Sequence, residues 1–160
     1  MQQINELMVQ MSKLPQEDFR DKMGELTQLI VDNGGTIRES YKENDKIDAI
    51  NGNKLEHFFG EGTYIRKITM NKNTLIMSAI HLVTHPYFIL TGKATILSPG
   101  GLHLVEAPKF GITTPGTQRL LYIHEDMEFY TVHPTEKTNV EEIINEVTST
   151  HYNHPKLKLN

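Results

Sequence analysis

His81 and His85 stand four residues apart in the stretch from Ile80 to Gly92, where Gly92, seven residues after His85, supplies a turn in a run of β-forming residues. Two imidazoles at this spacing can ligate a divalent cation, act as acid or base near neutral pH, or simply pack. The chain has no cysteine, so a metal site has only His, Asp and Glu to draw on and thiol chemistry is excluded. The other histidines point elsewhere. His133, before Pro134-Thr135, reads as a hydrogen-bonding residue at a strand end, and His124 with Glu125-Asp126 reads as a charged hairpin turn. His103, between Leu102 and Leu104, could face into or out of a barrel, and His151 and His154 read as solvated tail groups.

Two helices open the chain. Ile4, Leu7, Met8, Met11 and Leu14 form one apolar stripe at helical spacing, and Pro15 breaks or restarts the helix. The second helix carries Phe19, Met23, Leu26 and Ile30, with Glu17 and Asp18 in its first turn and Asn33-Gly34-Gly35 at its end. The pair is expected to cover part of the domain or a neighbouring subunit, or to serve as a docking arm. Residues 36–56 are polar and weakly patterned, a linker with one short strand and Asn51-Gly52-Asn53 as a turn.

After Glu56 the pattern changes to short strands with turn residues about every ten positions. The strands are Thr63 to Met70, Thr74 to Leu82, Tyr87 to Leu97, Leu102 to Glu106, Phe110 to Thr114, Gln118 to His124 and Met127 to His133, with turns at Ser98 to Gly101, Pro115-Gly116 and Glu125-Asp126. Short antiparallel strands in two sheets make a jelly roll. A third helix follows, with Asn139 as cap and Val140, Ile143, Ile144 and Val147 as its apolar face. The expected organisation is therefore a helical segment over 1–35, a linker over 36–56, a barrel over 57–136, a helix over 137–150 and a loosely held tail over 151–160.

Composition bounds the function. With 160 residues, 38% hydrophobic and 22% charged, the chain suits one compact domain of ordinary globular make-up. A net charge of −4 without a long basic run argues against duplex nucleic acid as a partner. No apolar run approaches a membrane span, and the N-terminus lacks a basic region followed by an apolar one, so a soluble protein that is not secreted is expected.

The run from His81 to Gly92, the turn at Ser98 to Gly101 and Pro115-Gly116 resemble the core of the cupins, small β-barrels that usually hold a metal through a His-x-His pair, a glutamate and a later histidine. His57-Phe58-Phe59, Tyr64-Ile65-Arg66, Glu106-Ala107-Pro108, Pro115 to Arg119, His124-Glu125-Asp126 and Thr131 to Glu136 resemble more particularly the small single-domain cupins encoded by tailed bacteriophages. The resemblance covers about residues 57 to 148. It implies a mainly β fold, a cupin-like double-stranded β-helix (jelly roll), to which the apolar periodicity adds N-terminal helices and a C-terminal helix. It also places Ala79 at the first ligand position, His81 at the second, His85 at the glutamate position and Arg119 at the later histidine.

An arginine aimed into a metal site repels the metal, since its guanidinium stays charged. It needs an anionic partner instead, either Glu106 or a ligand. The expectation is a small anionic molecule bound by His81, His85 and Arg119 with Tyr64, Arg66 and His57 nearby, and no cofactor. The alternatives are a divalent metal at His81 and His85, cupin isomerase or epimerase chemistry, and an inert barrel in a homo-oligomeric assembly. Host cytoplasm or virion is the expected residence.

Overall fold

The computed structural model describes residues 2–32, 47–50 and 53–158. In chain order it forms α1 (Gln2–Met11), α2 (Gln16–Asp32), β1 (Ile47–Ile50), β2 (Asn53–Gly60), β3 (Thr63–Met70), β4 (Leu75–Met77), β5 (Ile80–His81), β6 (His85–Ser98), β7 (Gly101–Glu106), β8 (Lys109–Thr113), β9 (Leu120–Pro134), α3 (Val140–Val147) and β10 (Thr148–Ser149). A 3-10 turn at Pro155–Leu157 closes the described chain.

Two long strands, β6 and β9, carry the architecture. They pair with each other from Tyr87 opposite Thr131 to Leu97 opposite Leu120, and each serves different neighbours along its length. The first half of β6 pairs with β8 and the second half with β7. The first residues of β9 pair with β4 and its second half with β3. Every pairing is antiparallel, and sharing two bent strands between both sets of neighbours wraps the sheet into a jelly-roll barrel. The bend falls where the β6–β9 register shifts, between Ile89 and Ala94. Gly92 makes it possible: its φ is +92°, and a Cβ there would lie 2.5 Å from the Asp126 carbonyl oxygen.

The sequence expectation of a turn at Glu125-Asp126 is corrected by this geometry. β9 runs unbroken through these residues, because the irregularity is absorbed as bulges in the β6–β9 pairing, two of which place the extra residue on β9 itself, rather than as a hairpin. The expected strand from Thr74 to Leu82 divides into β4 and β5, because Ser78 between them turns its hydrogen bonds to Arg119. The sheet also begins upstream of residue 57, since β1 and the start of β2 pair from Ile50 opposite Asn53 to Ile47 opposite Glu56. The expected helix end at Asn33-Gly34-Gly35, most of the expected linker, and the turn residues Asn51 and Gly52 lie outside the described residues.

The barrel has an apolar end built from Leu55, Ile68, Met70, Ile76, Ile89, Ile96, Leu121, Ile123, Met127 and Phe129. The N-terminal helices pack on the outside of its own wall: Met8, Met11, Phe19 and Met23 meet Met77, Leu97, Leu120 and Tyr122. Met8 and Met11 of the first helical stripe are thus buried within the chain, while Leu14 stays exposed. At the other end α3, capped by the Asn139 side chain accepting from the Glu142 N–H at 3.0 Å, lays Ile143 and Val147 against Tyr64. β10 then pairs with β5 and ties α3 across the barrel. The described residues after β10, up to 158, are held rather than loose, with the Arg20 guanidinium 5.3 Å over the Tyr152 ring and Lys156 Nζ donating to the Glu146 carbonyl at 3.0 Å. No described helix is long and apolar enough to cross a membrane.

Candidate functional site

Side chains alternate across a strand, so the register fixes which residues share the barrel interior. Phe59 lies opposite Tyr64, which lies opposite His133, forming the row nearest α3. In the next row His57 lies opposite Arg66, Arg66 opposite Thr131, Thr131 opposite Tyr87, and Tyr87 opposite Gly111. Below these come Leu55, Ile68, Phe129 and Ile89. Polar rows thus sit at the α3 end and apolar rows beneath.

The histidines converge at the polar end. The His81 and His85 ring centroids are 4.7 Å apart and those of His85 and His133 are 4.2 Å apart. Tyr64 extends the contact, its ring 6.1 Å from His133 and its hydroxyl 2.7 Å from His57 Nδ1. His85 Nδ1–H donates to the Val83 carbonyl at 3.0 Å, which leaves Nε2 as the acceptor in the neutral ring. His81 Nδ1, His85 Nε2, His133 Nδ1 and Thr131 Oγ1 are buried without a hydrogen-bond partner among the described residues.

Arg119 is positioned by its backbone and its head separately. Its N–H donates to Ser78 Oγ at 2.9 Å, and the neighbouring Gln118 donates from Nε2 to the Ser78 carbonyl at 3.1 Å and to Thr27 Oγ1 at 3.2 Å. The guanidinium donates to Thr113 Oγ1 at 2.8 Å and lies 5.2 Å over the Tyr87 ring. Gly111 leaves room for that ring, since a Cβ there would come within 2.8 Å of it. Among the described residues no carboxylate forms an ion pair with Arg119. Glu106, the protein partner expected from the sequence, is exposed and pairs with Lys93 at 3.3 Å, because it sits on β7 beyond the barrel interior.

Burial sets the charge state. It pushes His81 well below its ordinary value, and the charges on His85, Arg119 and Arg66 push in the same direction. Burial brings His85 down to about 4, against the opposing hydrogen bond to Val83 and with the help of Arg119 and Arg66. Burial, then His85 and Arg66, brings His133 to about 3. Arg66 falls to about 10 through burial, and burial lowers Arg119 too, partly offset by Tyr87. At neutral pH the polar end therefore holds three neutral imidazoles and two guanidinium cations.

This donor set does not fit a divalent cation at His81 and His85. Two guanidiniums act on the same imidazoles, Ala79 lines the cavity at the position of an expected ligand, and no group of three or more His, Asp or Glu side chains among the described residues converges to hold a metal. A cavity of about 70 Å³ adjoins the cluster, several times the ~10–15 Å³ that one water requires. Arg66, Arg119, His81, His133 and Thr131 line one part, and Ile68, Met70, Ile76, Leu121 and Phe129 another. Ile144, Val147 and Thr148 cover it from α3 and β10.

Five of the six expected residues are thus drawn together, with His57 attached through Tyr64. His133, Thr131 and Thr113 were missed by the sequence reading. The signal for the first two lay in the alternation Phe129, Thr131, His133, which puts all three on one face of β9. His124 and His103 stand apart, His124 Nε2 at 2.7 Å from Thr95 Oγ1 and His103 Nε2 at 3.1 Å from the Gly100 carbonyl oxygen.

No protein-family profile and no curated protein matches the sequence. Solved structures do resemble it. An RmlC-like cupin from Shewanella frigidimarina is 17% identical, with 64% of this chain and 96% of that one covered at a TM-score of 0.47. A cupin 2 conserved barrel domain protein from Salinispora arenicola is 11% identical, with 61% and 87% covered at 0.45. An acetylacetone dioxygenase from Acinetobacter johnsonii is 17% identical, with 62% and 75% covered at 0.45. These neighbours are cupin barrels or an enzyme similar in fold, and the jelly-roll assignment of this chain rests on its own strand pairing.

Proposed function

We propose that this chain binds a small anionic molecule inside the barrel, in the manner of the phage-type cupins that its sequence resembles, and acts by sequestering a metabolite or nucleotide signal. The observation that carries the reading is the cavity end where Arg66 and Arg119 act on three neutral imidazoles. No Asp or Glu is among the lining residues, so an anion is the missing charge complement for Arg119. Acid–base catalysis of the isomerase or epimerase kind is less well supported, because imidazoles held at about 4 and about 3 are weak bases at neutral pH. Native mass spectrometry of the purified protein tests the proposal. A retained organic anion that disappears in Arg119→Ala, with circular dichroism unchanged, supports it, whereas a stoichiometric metal ion in place of an anion rejects it.

A second reading, assembly from copies of this chain, is favoured by the outer face of the sheet. Phe58 lies opposite Ile65, Ile65 opposite Val132, Phe88 opposite Phe110 and Pro86 opposite Ile112, with Phe110 74% and Ile112 62% exposed. β8 pairs only with β6 among the described residues, and its sequence is self-complementary about Gly111. Antiparallel pairing with a second β8 would set each Phe110 opposite the other copy's Ile112. Ile112→Glu is then expected to turn a dimer into a monomer in light scattering. A wild-type protein that is already monomeric at all concentrations rejects this reading.

A further inference from the structure

The cavity has a direction along the barrel axis, and that direction narrows what can fill it. On β3 the inward residues run Arg66, Ile68, Met70, and on β9 they run His133, Thr131, Phe129, Met127. The gradient recurs where Arg119 precedes Leu121, and where Ser78 and His81 follow Ile76. Four stretches of the wall therefore change from polar to apolar in the same sense. At about 3.3 Å per residue the step from Arg66 to Met70 spans roughly 13 Å, the length of a short chain molecule.

The polar end offers the Arg119 guanidinium, which donates to Thr113 Oγ1, together with His81 Nδ1, His133 Nδ1 and the Thr131 hydroxyl, and these last three have no hydrogen-bond partner among the described residues. This is a cluster for a single head group carrying two or three oxygens. The apolar end offers aliphatic, methionine and phenylalanine side chains, with no hydrogen-bond donor for a sugar or a base edge. A nucleotide would have to place its polar ribose or base against Ile68, Met70 and Leu121, leaving its own polar groups unpaired. A cavity of about 70 Å³ beneath α3 is also small for base, sugar and phosphate together. Burying a dianion costs more than burying a monoanion, and the cavity's lower half can supply nothing to offset the difference.

We infer that the ligand is a small monocarboxylic acid with an apolar body, its carboxylate at Arg119 and the histidine cluster and its hydrocarbon part against Ile68, Met70, Ile76, Leu121 and Phe129. The inference rests on the anion-binding reading above and decides the ligand class within it. The carboxylate takes the paired N–H groups of the guanidinium, which match its two oxygens. The imidazoles, being neutral, contribute hydrogen bonds without adding to the positive charge. The apolar part gives affinity that grows with buried area until the cavity is full.

Isothermal titration calorimetry of the full chain with straight-chain monocarboxylates from butanoate to octanoate, the matching primary amides, inorganic phosphate and adenosine 5′-monophosphate separates the possibilities. The expected result is binding of the carboxylates, tightening about fourfold per methylene up to a limiting length. The amides should bind at least tenfold more weakly, and Arg119→Ala should lower carboxylate affinity by a similar factor. Carboxylate binding independent of chain length overturns the apolar body. Arg119-dependent binding of phosphate or the nucleotide, with none of the carboxylates, overturns the ligand class but leaves the anion pocket standing. Binding by neither class, with Phe129→Ala and Arg119→Ala both folded and indistinguishable from the parent, overturns both. Ile76→Phe, which fills the apolar end without touching a charged group, should shorten the preferred chain, and an unchanged preference also counts against the proposal.

Discussion

Met23→Ala is expected to lower stability by about 3 kcal/mol, and deletion of residues 1–32 is expected to leave a chain that aggregates instead of folding cooperatively. Met23 is fully buried in a cluster whose other half, Met77, Leu97, Leu120 and Tyr122, belongs to the barrel wall. Truncating it removes three heavy atoms from a closed interface, where the surrounding helices and strands can relax only in part. Deletion is harsher, because it exposes that wall as a contiguous apolar patch and also removes Thr27, which helps to hold Gln118 beside Arg119. Urea denaturation gives the first value. Met23→Leu is the control, expected to cost less than about 1.5 kcal/mol because it roughly conserves volume. A Met23→Ala protein whose midpoint matches the parent would mean that α2 is not docked on the barrel, and the truncated chain would then remain soluble and folded.

The same helices mark how far the sequence could be read. Their apolar stripes were legible because a 3.6-residue period leaves a pattern whatever the helix packs against, but the partner was not, since a stripe suits a barrel wall and a neighbouring subunit equally. β3 was legible to the residue, because the run of β-forming residues from Thr63 to Met70 ends at an Asn-rich turn. β9 was not. Glu125-Asp126 has turn composition, and the chain continues through it by bulges in its pairing with β6, where Gly92 allows the close approach. The candidate site divides the same way. Arg119 and the His81/His85 pair could be singled out by residue type and by their place in the resemblance. For His133 the alternation with Thr131 and Phe129 shows only a shared face, and what brings it to the site is register: its position opposite Tyr64 is set by hydrogen bonds between strands far apart in sequence.

Acid is expected to unfold this protein well before ordinary carboxylate chemistry would. The groups facing one another at the polar end are His57 from β2, Tyr64 and Arg66 from β3, His81 from β5, His85 and Tyr87 from β6, Arg119 ahead of β9 and His133 on it, while α3 presents only Ile144 and Val147 to the cavity. Folding holds His85 at about 4 and His133 at about 3, against an ordinary value of 6.5, with His81 displaced in the same direction. The folded chain therefore binds fewer protons than the unfolded one between these values. The stability tied to the neutral rings is complete above pH 6.5 and falls as pH drops toward 4, by up to about 1.4 kcal/mol per pH unit for each ring. Glu56 and Glu146, whose carboxyls are also lowered, add to the loss only near and below their ordinary 4.5. The decline between pH 6.5 and 5 consequently belongs to the histidines. Urea midpoints measured across that interval should fall steeply in the parent and less steeply in His133→Asn, which removes one titrating ring. Equal slopes would place His133 in water rather than beside His85. A flat parent curve would mean that the three rings are not held neutral together, and the arrangement of cations around them would have to be redrawn.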